Sequence, residues 1–266
     1  EVARREPGKK RHVASLALVL PGGRKVYLVD ATPDFREQLD KLADVRDAPV
    51  GRADRAPIDG VFLTHAHMGH YLGLAFLGYE ALHTQKIPVW ATPRMAGFLR
   101  TNGPWSQLVS KEEIELRELA DGATVELGEG VRVTAVRAPH RDEFADTIGF
   151  RISGPTRTVL YVPDTDSWVA WGDRLAVALE GVDVAIVDGT FFSGDELPGR
   201  DVAKIGHPLM KDTVERLGDR VAAGRLTVYF THLNHSNPAL EPASEASKYL
   251  REKGFRVLAE GEELGL

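Results

Sequence analysis

Apolar residues fall in short alternating or continuous runs along most of the chain, a pattern that predicts many strands and few long helices. The run over 13–20 is followed by the turn signal Pro21-Gly22-Gly23-Arg24 and a second run over 25–30, and the two read as a hairpin. Residues 35–42 space their apolar positions as a helix does, and the Pro- and Arg-rich stretch 44–57 reads as a loop. The continuous apolar run 60–63 predicts a buried strand. A helix is expected over 71–82, a short strand over 88–91, and a helix over 93–100 with Pro93 in its first turn. Residues 101–107 read as a loop in which Trp105 packs.

From 114 to 162 the pattern is of strands alone, over 114–119, 123–127, 131–138, 147–152 and 158–162, separated by turn residues. Trp168, Trp171, Leu175 and Leu179 then recur at helical spacing, and 182–187 is wholly apolar. A polar loop over 191–206, a helix over 211–217, a strand over 226–230, a helix over 243–253 and strands over 256–259 and 262–264 complete the expectation. Strands followed by alternating strands and helices, twice over, predict an α/β fold: two mixed β-sheets packed face to face, flanked by helices. No repeat or long linker divides the chain. One domain is expected over 13–266, behind a basic, solvated arm over 1–12 that carries Arg4, Arg5, Lys9, Lys10, Arg11 and His12.

Composition narrows the chemistry. The 266 residues, 43% hydrophobic and 27% charged, suffice for a sizeable core. A net charge of −6 argues against a nucleic-acid partner. No apolar run approaches the ~18 residues of a membrane helix. No leader is visible at Glu1, and the compartment, cytoplasmic or periplasmic, stays open. Cysteine is absent, which excludes disulfides, thiolate nucleophiles and sulfur-ligated zinc.

Polar residues gather where the strands are expected to end. Thr64-His65-Ala66-His67-Met68-Gly69-His70 follows the strand at 60–63, and imidazole is the commonest protein ligand of transition metals. Asp30, His140, Asp164, Asp188 and His232 each stand at or just beyond another strand end. Should those ends share one rim, they form a single cluster of nitrogen and oxygen ligands suited to zinc, manganese or iron. His207 is a candidate substrate ligand or proton donor. His235 and Asn237 are candidates either for substrate contact or for capping the turn before Pro238. Asp166 reads as the N-cap of the Trp168 helix. Arg141, Asp142 and Glu143 read as loop residues, with a carboxylate beside His140 a candidate outer partner. His12 and His83 read as surface residues.

The ordered set resembles the metallo-β-lactamase superfamily, whose motifs are a strand-end Asp, a His-x-His-x-Asp-His loop, a His, an Asp and a final His. Here these are Asp30, His65 to His70, His140, Asp164 and His232, and the resemblance spans about 13–266. Within it, Asp30-Ala31-Thr32-Pro33-Asp34-Phe35-Arg36, Asn102-Gly103-Pro104-Trp105 and Asp188-Gly189-Thr190-Phe191-Phe192 resemble the B protein of pyrroloquinoline-quinone biosynthesis and its relatives. The resemblance implies a four-layer αββα sandwich and one or two divalent metal ions, zinc first, with iron or manganese as alternatives. It implies one ion on His65, His67 and His140, a second on His70 and His232, Asp164 bridging them, and Asp30 in support behind a ligand imidazole. Gly69 departs from the pattern, because the superfamily usually has a ligating Asp there. The activity implied is hydrolysis of an ester, phosphodiester, lactone or amide in a small molecule by metal-activated water. A metal-dependent oxygenase and a non-catalytic binder of metal or small molecule are the alternatives.

Overall fold

Side chains point alternately to the two faces along each strand, and the central strands are buried on both, which sets the layers. The computed structural model describes residues 11–21, 25–43, 45, 56–197, 199 and 206–266. Residues 1–10 of the arm expected over 1–12, the turn at 22–24 and the loop residues 44, 46–55, 198 and 200–205 lie outside the described residues. The first sheet runs in the order β1 (Leu16–Val19), β2 (Val26–Val29), β3 (Gly60–Phe62), β4 (Ile87–Ala91), β5 (Ile114–Glu118). Only β1 is antiparallel to its neighbour. The second sheet comprises β6 (Thr124–Gly128), β7 (Val131–Arg137), β8 (Ile148–Ser153), β9 (Thr158–Val162), β10 (Val184–Asp188), β11 (Thr227–Thr231) and β12 (Arg256–Val257). They lie side by side in chain order, antiparallel from β6 to β9 and parallel from β9 to β12.

Tyr27 and Val29 on β2, and Val184 and Ile186 on β10, face an apolar layer between the sheets. There Phe62 stacks on Trp90 at 4.5 Å and meets Phe150 of the opposite sheet edge-on at 5.6 Å. Val26 and Leu28 face outward instead, under α1 (Phe35–Leu42), α2 (Met68–Tyr71), the 3₁₀ segment Leu72–Leu77, α3 (Pro93–Thr101) and α4 (Trp105–Ser110). Ala185 and Val187 face outward from the second sheet, under α5 (Trp168–Trp171), α6 (Arg174–Ala178), α7 (Met210–Ala222) and α8 (Glu245–Glu252). Three apolar layers between four layers of structure make the expected αββα sandwich.

Local departures have local causes. The helix expected over 71–82 is replaced by α2 and the 3₁₀ segment, because the chain presses on the loop after β2. Gly73 donates to the Ala31 carbonyl at 2.9 Å, and a Cβ at Gly73 would stand 2.3 Å from the Thr32 carbonyl oxygen. The loop expected over 101–107 gives way to α4, which buries Trp105 against Tyr71 at 4.8 Å. Gly172, at φ +52°, ends α5 after one turn and splits the helical run. Residues 262–264 form no strand.

The arrangement of directions places the chemistry. β2 and β3 are parallel, and β7, β9, β10 and β11 point one way, so each group of strands brings its carboxyl ends to one edge of its sheet. Open sheets carry their ligands at that edge.

Candidate metal centre

Asp30 closes β2 in a left-handed conformation, φ +67°, and is fully buried. Its Oδ1 accepts from the Thr64 backbone N–H at 2.8 Å, and its Oδ2 lies 2.7 Å from His70 Nδ1. A carboxylate accepts only, so that imidazole carries its proton on Nδ1 and keeps Nε2 bare. His65 Nδ1 lies 2.9 Å from the Thr64 hydroxyl, His140 Nδ1 lies 2.9 Å from Asp166, and His67 Nε2 lies 3.2 Å from Glu143. His232, at φ +59° after β11, sets its Nδ1 3.0 Å from the Thr190 hydroxyl. Each of the five imidazoles is held at one nitrogen by a side chain outside the cluster and turns the other inward.

The inward nitrogens surround Asp164, whose side chain is 4% exposed. Asp164 Oδ2 lies 3.2 Å from His65 Nε2 and 3.9 Å from His67 Nδ1, and Oδ1 lies 3.2 Å from His140 Nε2. The His67 and His65 nitrogens are 2.9 Å apart, and those of His67 and His140 are 3.3 Å apart. Two atoms each ~2.05 Å from one tetrahedral ion stand about 3.3 Å apart, which these separations bracket. The same Oδ2 lies 3.6 Å from His70 Nε2 and 3.8 Å from His232 Nε2, a wider, three-residue set. Asp164 Oδ1 is buried with no well-aligned hydrogen bond. A buried carboxylate oxygen without a well-aligned donor, among imidazole nitrogens turned toward it, fits a cation.

Electrostatics agree at three imidazoles; at His70 burial opposes the charge, but Asp30 and Asp164 raise its pKa, so an ion there must displace a proton. Burial drives His65 well below its ordinary pKa, with His70 adding to the effect, and burial likewise lowers His140 and His232. Neutral imidazole is the form that binds metal. Burial alone would raise Asp164, yet the imidazoles of His207, His65 and His67 hold it well below the usual carboxylate range. His207 behaves differently. Burial opposes its charge, but Asp164 at 3.1 Å and Asp188 at 2.7 Å from Nδ1 push it up to about 10.

The remaining candidates separate cleanly. Asp188 is fully buried and accepts from Thr190 N, the Thr190 hydroxyl and Thr165 N, besides His207. It is one of a third donor group with His207 and His232. Asn237 is 2% exposed, and its carboxamide serves the backbone, donating to the Gly189 carbonyl at 2.8 Å and accepting from Ala239 N. Its side-chain oxygen thereby caps the 3₁₀ turn Pro238–Leu240. His235 is exposed. Asp166 does not cap the Trp168 helix: Ser167 does, accepting from Ala170 N, and Asp166 turns to His140 instead. Of the two loop carboxylates after His140, Asp142 and Glu143, it is Glu143 that meets an imidazole, and that imidazole is His67. Thr64 and Thr190 went unmarked in the sequence, since a threonine at a strand end carries no distinguishing signal.

A family profile for the β-lactamase superfamily domain matches residues 25–238. The chain belongs to the metallo-β-lactamase superfamily. It is 29% identical to coenzyme PQQ synthesis protein B of Cupriavidus necator, over 96% of this chain and 88% of the relative. The corresponding protein of Xanthomonas euvesicatoria is 27% identical over 97% of this chain and 89% of its own. A solved structure of zinc-bound PqqB from Methylobacterium extorquens superposes with a TM-score of 0.82 at 22% identity, covering 100% of this chain and 92% of that one. In this member of the metallo-β-lactamase superfamily the histidine and aspartate cluster stands ready for divalent metal.

Proposed function

We propose that this protein is a hydrolase that uses one or two divalent ions, zinc first, to cleave an ester, phosphodiester, lactone or amide bond in a small molecule. The convergence of five metal-competent imidazoles on Asp164, with His207 on its other oxygen, carries this reading. His65, His67, His140 and Asp164 would hold the first ion, and His70, Asp164 and His232 the second. Ions bound there supply a Lewis acid and a water that ionises near neutral pH. Asp164 spans both sets and fixes their spacing. His207, steered by Asp188 through Nδ1–H, presents its other nitrogen to the departing group and gives it a proton. Met68 and Phe144 are 67% and 62% exposed, and each directly follows a member of the His67–Glu143 pair. Phe144 rests on Phe98 at 5.5 Å. These apolar surfaces beside the centre favour a substrate with an apolar portion.

The test is turnover by protein purified without added metal, after elemental analysis and an anomalous-scattering map. Turnover of an ester, phosphodiester, lactone or amide that stops on chelation and returns with zinc is the expected result. Undiminished turnover by metal-free protein would overturn the reading. A requirement for oxygen and a reductant would favour an oxygenase instead, a reading supported by the PqqB relatives' coverage of nearly the whole chain. Metal-loaded protein that binds a small molecule but turns nothing over is the mark of the binder.

Gly69 makes the two sites unequal. The second set has three residues and longer separations than the first, and glycine adds no ligand. A Cβ at Gly69 would meet only Val13 Cγ1, at an ordinary 3.6 Å, so a larger residue fits. Gly69→Asp should tighten the second equivalent by about 10-fold or more, from one added charged ligand. Zinc titration against a chromogenic chelator measures it, with the first equivalent as internal reference.

A further inference from the structure

The two sheets deliver the same three-residue device to the centre. On the first sheet, Asp30 after β2 contacts the Thr64 hydroxyl at 2.9 Å, and that hydroxyl contacts His65 Nδ1 at 2.9 Å. On the second, Asp188 at the end of β10 accepts from the Thr190 hydroxyl at 2.8 Å, and that hydroxyl contacts His232 Nδ1 at 3.0 Å. Both aspartates are fully buried, and Thr64 and Thr190 are 1% and 7% exposed. A hydroxyl has one proton and two lone pairs. Beside a buried carboxylate it gives that proton to the stronger, charged acceptor. Thr190 also lies 3.2 Å from the His232 carbonyl, a neutral and more distant rival. With its proton committed, the hydroxyl can only accept from the imidazole, so the ring must carry hydrogen on Nδ1.

We infer that Thr64 and Thr190 are positioning residues, each acting as a polarity lock that fixes its histidine as the Nδ1–H tautomer. The inference rests on the metal-binding reading above and assigns to this site two residues that bind no metal themselves. His65 belongs to the four-residue set and His232 to the three-residue set, so the locks act on different ions. Thr190 has a second connection. Its oxygen lies 3.1 Å from His207 Nδ1, and Asp188 holds Thr190 and His207 through separate oxygens. Thr190 thereby joins the second ion's ligand to the proposed proton donor, whereas Thr64 stands between two ligands, its oxygen also 3.4 Å from His70 Nδ1, which Asp30 holds at 2.7 Å.

Valine matches threonine in shape and lacks the hydroxyl; serine keeps the hydroxyl and loses the methyl. Zinc titration of the full chain against a chelator should show Thr190→Val weakening the second equivalent by about 10- to 100-fold, the range for an outer partner of a ligand. The first equivalent should hold, and Thr190→Ser should restore the second to within a few-fold. Thr64→Val should weaken the first equivalent by a similar factor, with rescue by Thr64→Ser. Long-range ¹⁵N spectra of histidine-labelled, metal-free protein provide a second readout. His65 and His232 should be single Nδ1–H tautomers in the wild type, and each should become a tautomer mixture in its own valine variant. Circular dichroism establishes that each variant is folded; an unfolded valine variant leaves the serine variant and the wild-type tautomers to decide. Serine variants as weak as the valine variants, unchanged affinities, an Nε2–H form of either histidine, or a wild type that takes one equivalent at any zinc concentration would each overturn the assignment. Wild-type protein that binds no zinc would instead defeat the metal reading on which it rests.

Discussion

Asp164→Asn is expected to deplete both metal sets in one step, leaving well under one equivalent of zinc after dialysis. One carboxylate oxygen, Oδ2, faces His65 of the first set and both imidazoles of the second. Among the described residues no other belongs to both of these sets, His232 being shared only with the third group. Asparagine keeps the shape, removes the charge, and brings an N–H₂ group among imidazole nitrogens that lack a proton. Those nitrogens can accept from it, so the fold has a way to tolerate the change even as the metal loses its anionic ligand. Loss of several kcal/mol of charge stabilisation corresponds to about 10³-fold or more in rate. Elemental analysis and the chelator-sensitive turnover described above measure the two effects separately. Retention of two equivalents by Asp164→Asn would remove the bridging role. His83→Ala is the control, since His83 is exposed and lies outside all three donor groups.

The residues that face the proposed ions were legible because of where they stand, not only what they are. A polar residue just past an apolar run marks a strand's end, and six strand ends here carry Asp30, His65, His140, Asp164, Asp188 and His232. The layered architecture followed from the same runs, since apolar residues on both faces of β2 and β10 require cover on both sides. The outer partners were less legible. Asp166 sits two residues after Asp164 in a position that suits a helix cap, and nothing local reveals that it turns 26 residues back to His140. Ser167 takes the cap one residue later. Glu143 and His67 are likewise 76 residues apart. Such pairs depend on rotamers and on the approach of separate loops, which periodicity does not encode. The segment after His70 shows the converse failure. Its apolar spacing is helical, but Gly73 is a glycine because the Thr32 carbonyl lies against it, and the close approach tightens the turn.

His207→Ala is expected to lower kcat by about 10²- to 10⁴-fold, the usual range for removing a general acid, while leaving both zinc equivalents in place. The geometry confines any ligand role to Nε2, and the two carboxylates that push His207 up to about 10 against burial favour a proton on Nδ1. His207 Nδ1 is occupied by Asp188 at 2.7 Å and Asp164 at 3.1 Å, and two carboxylates around one nitrogen require it to bear a proton. That nitrogen is unavailable to an ion, so His207 could serve the donor group it forms with Asp188 and His232 only through Nε2. Proton delivery matters most where the departing oxygen is a poor leaving group. The loss in His207→Ala should therefore shrink steadily across a series of aryl esters or aryl phosphodiesters as the phenol becomes more acidic. Asp188→Asn should show the same trend with a smaller slope, because the imidazole stays in place but loses the carboxylate that orients and charges it. A slope unchanged from wild type, or the loss of a zinc equivalent in His207→Ala, would place His207 among the ligands. Asp188 would then be the support of a ligand rather than of a proton donor, and the acid would have to come from solvent.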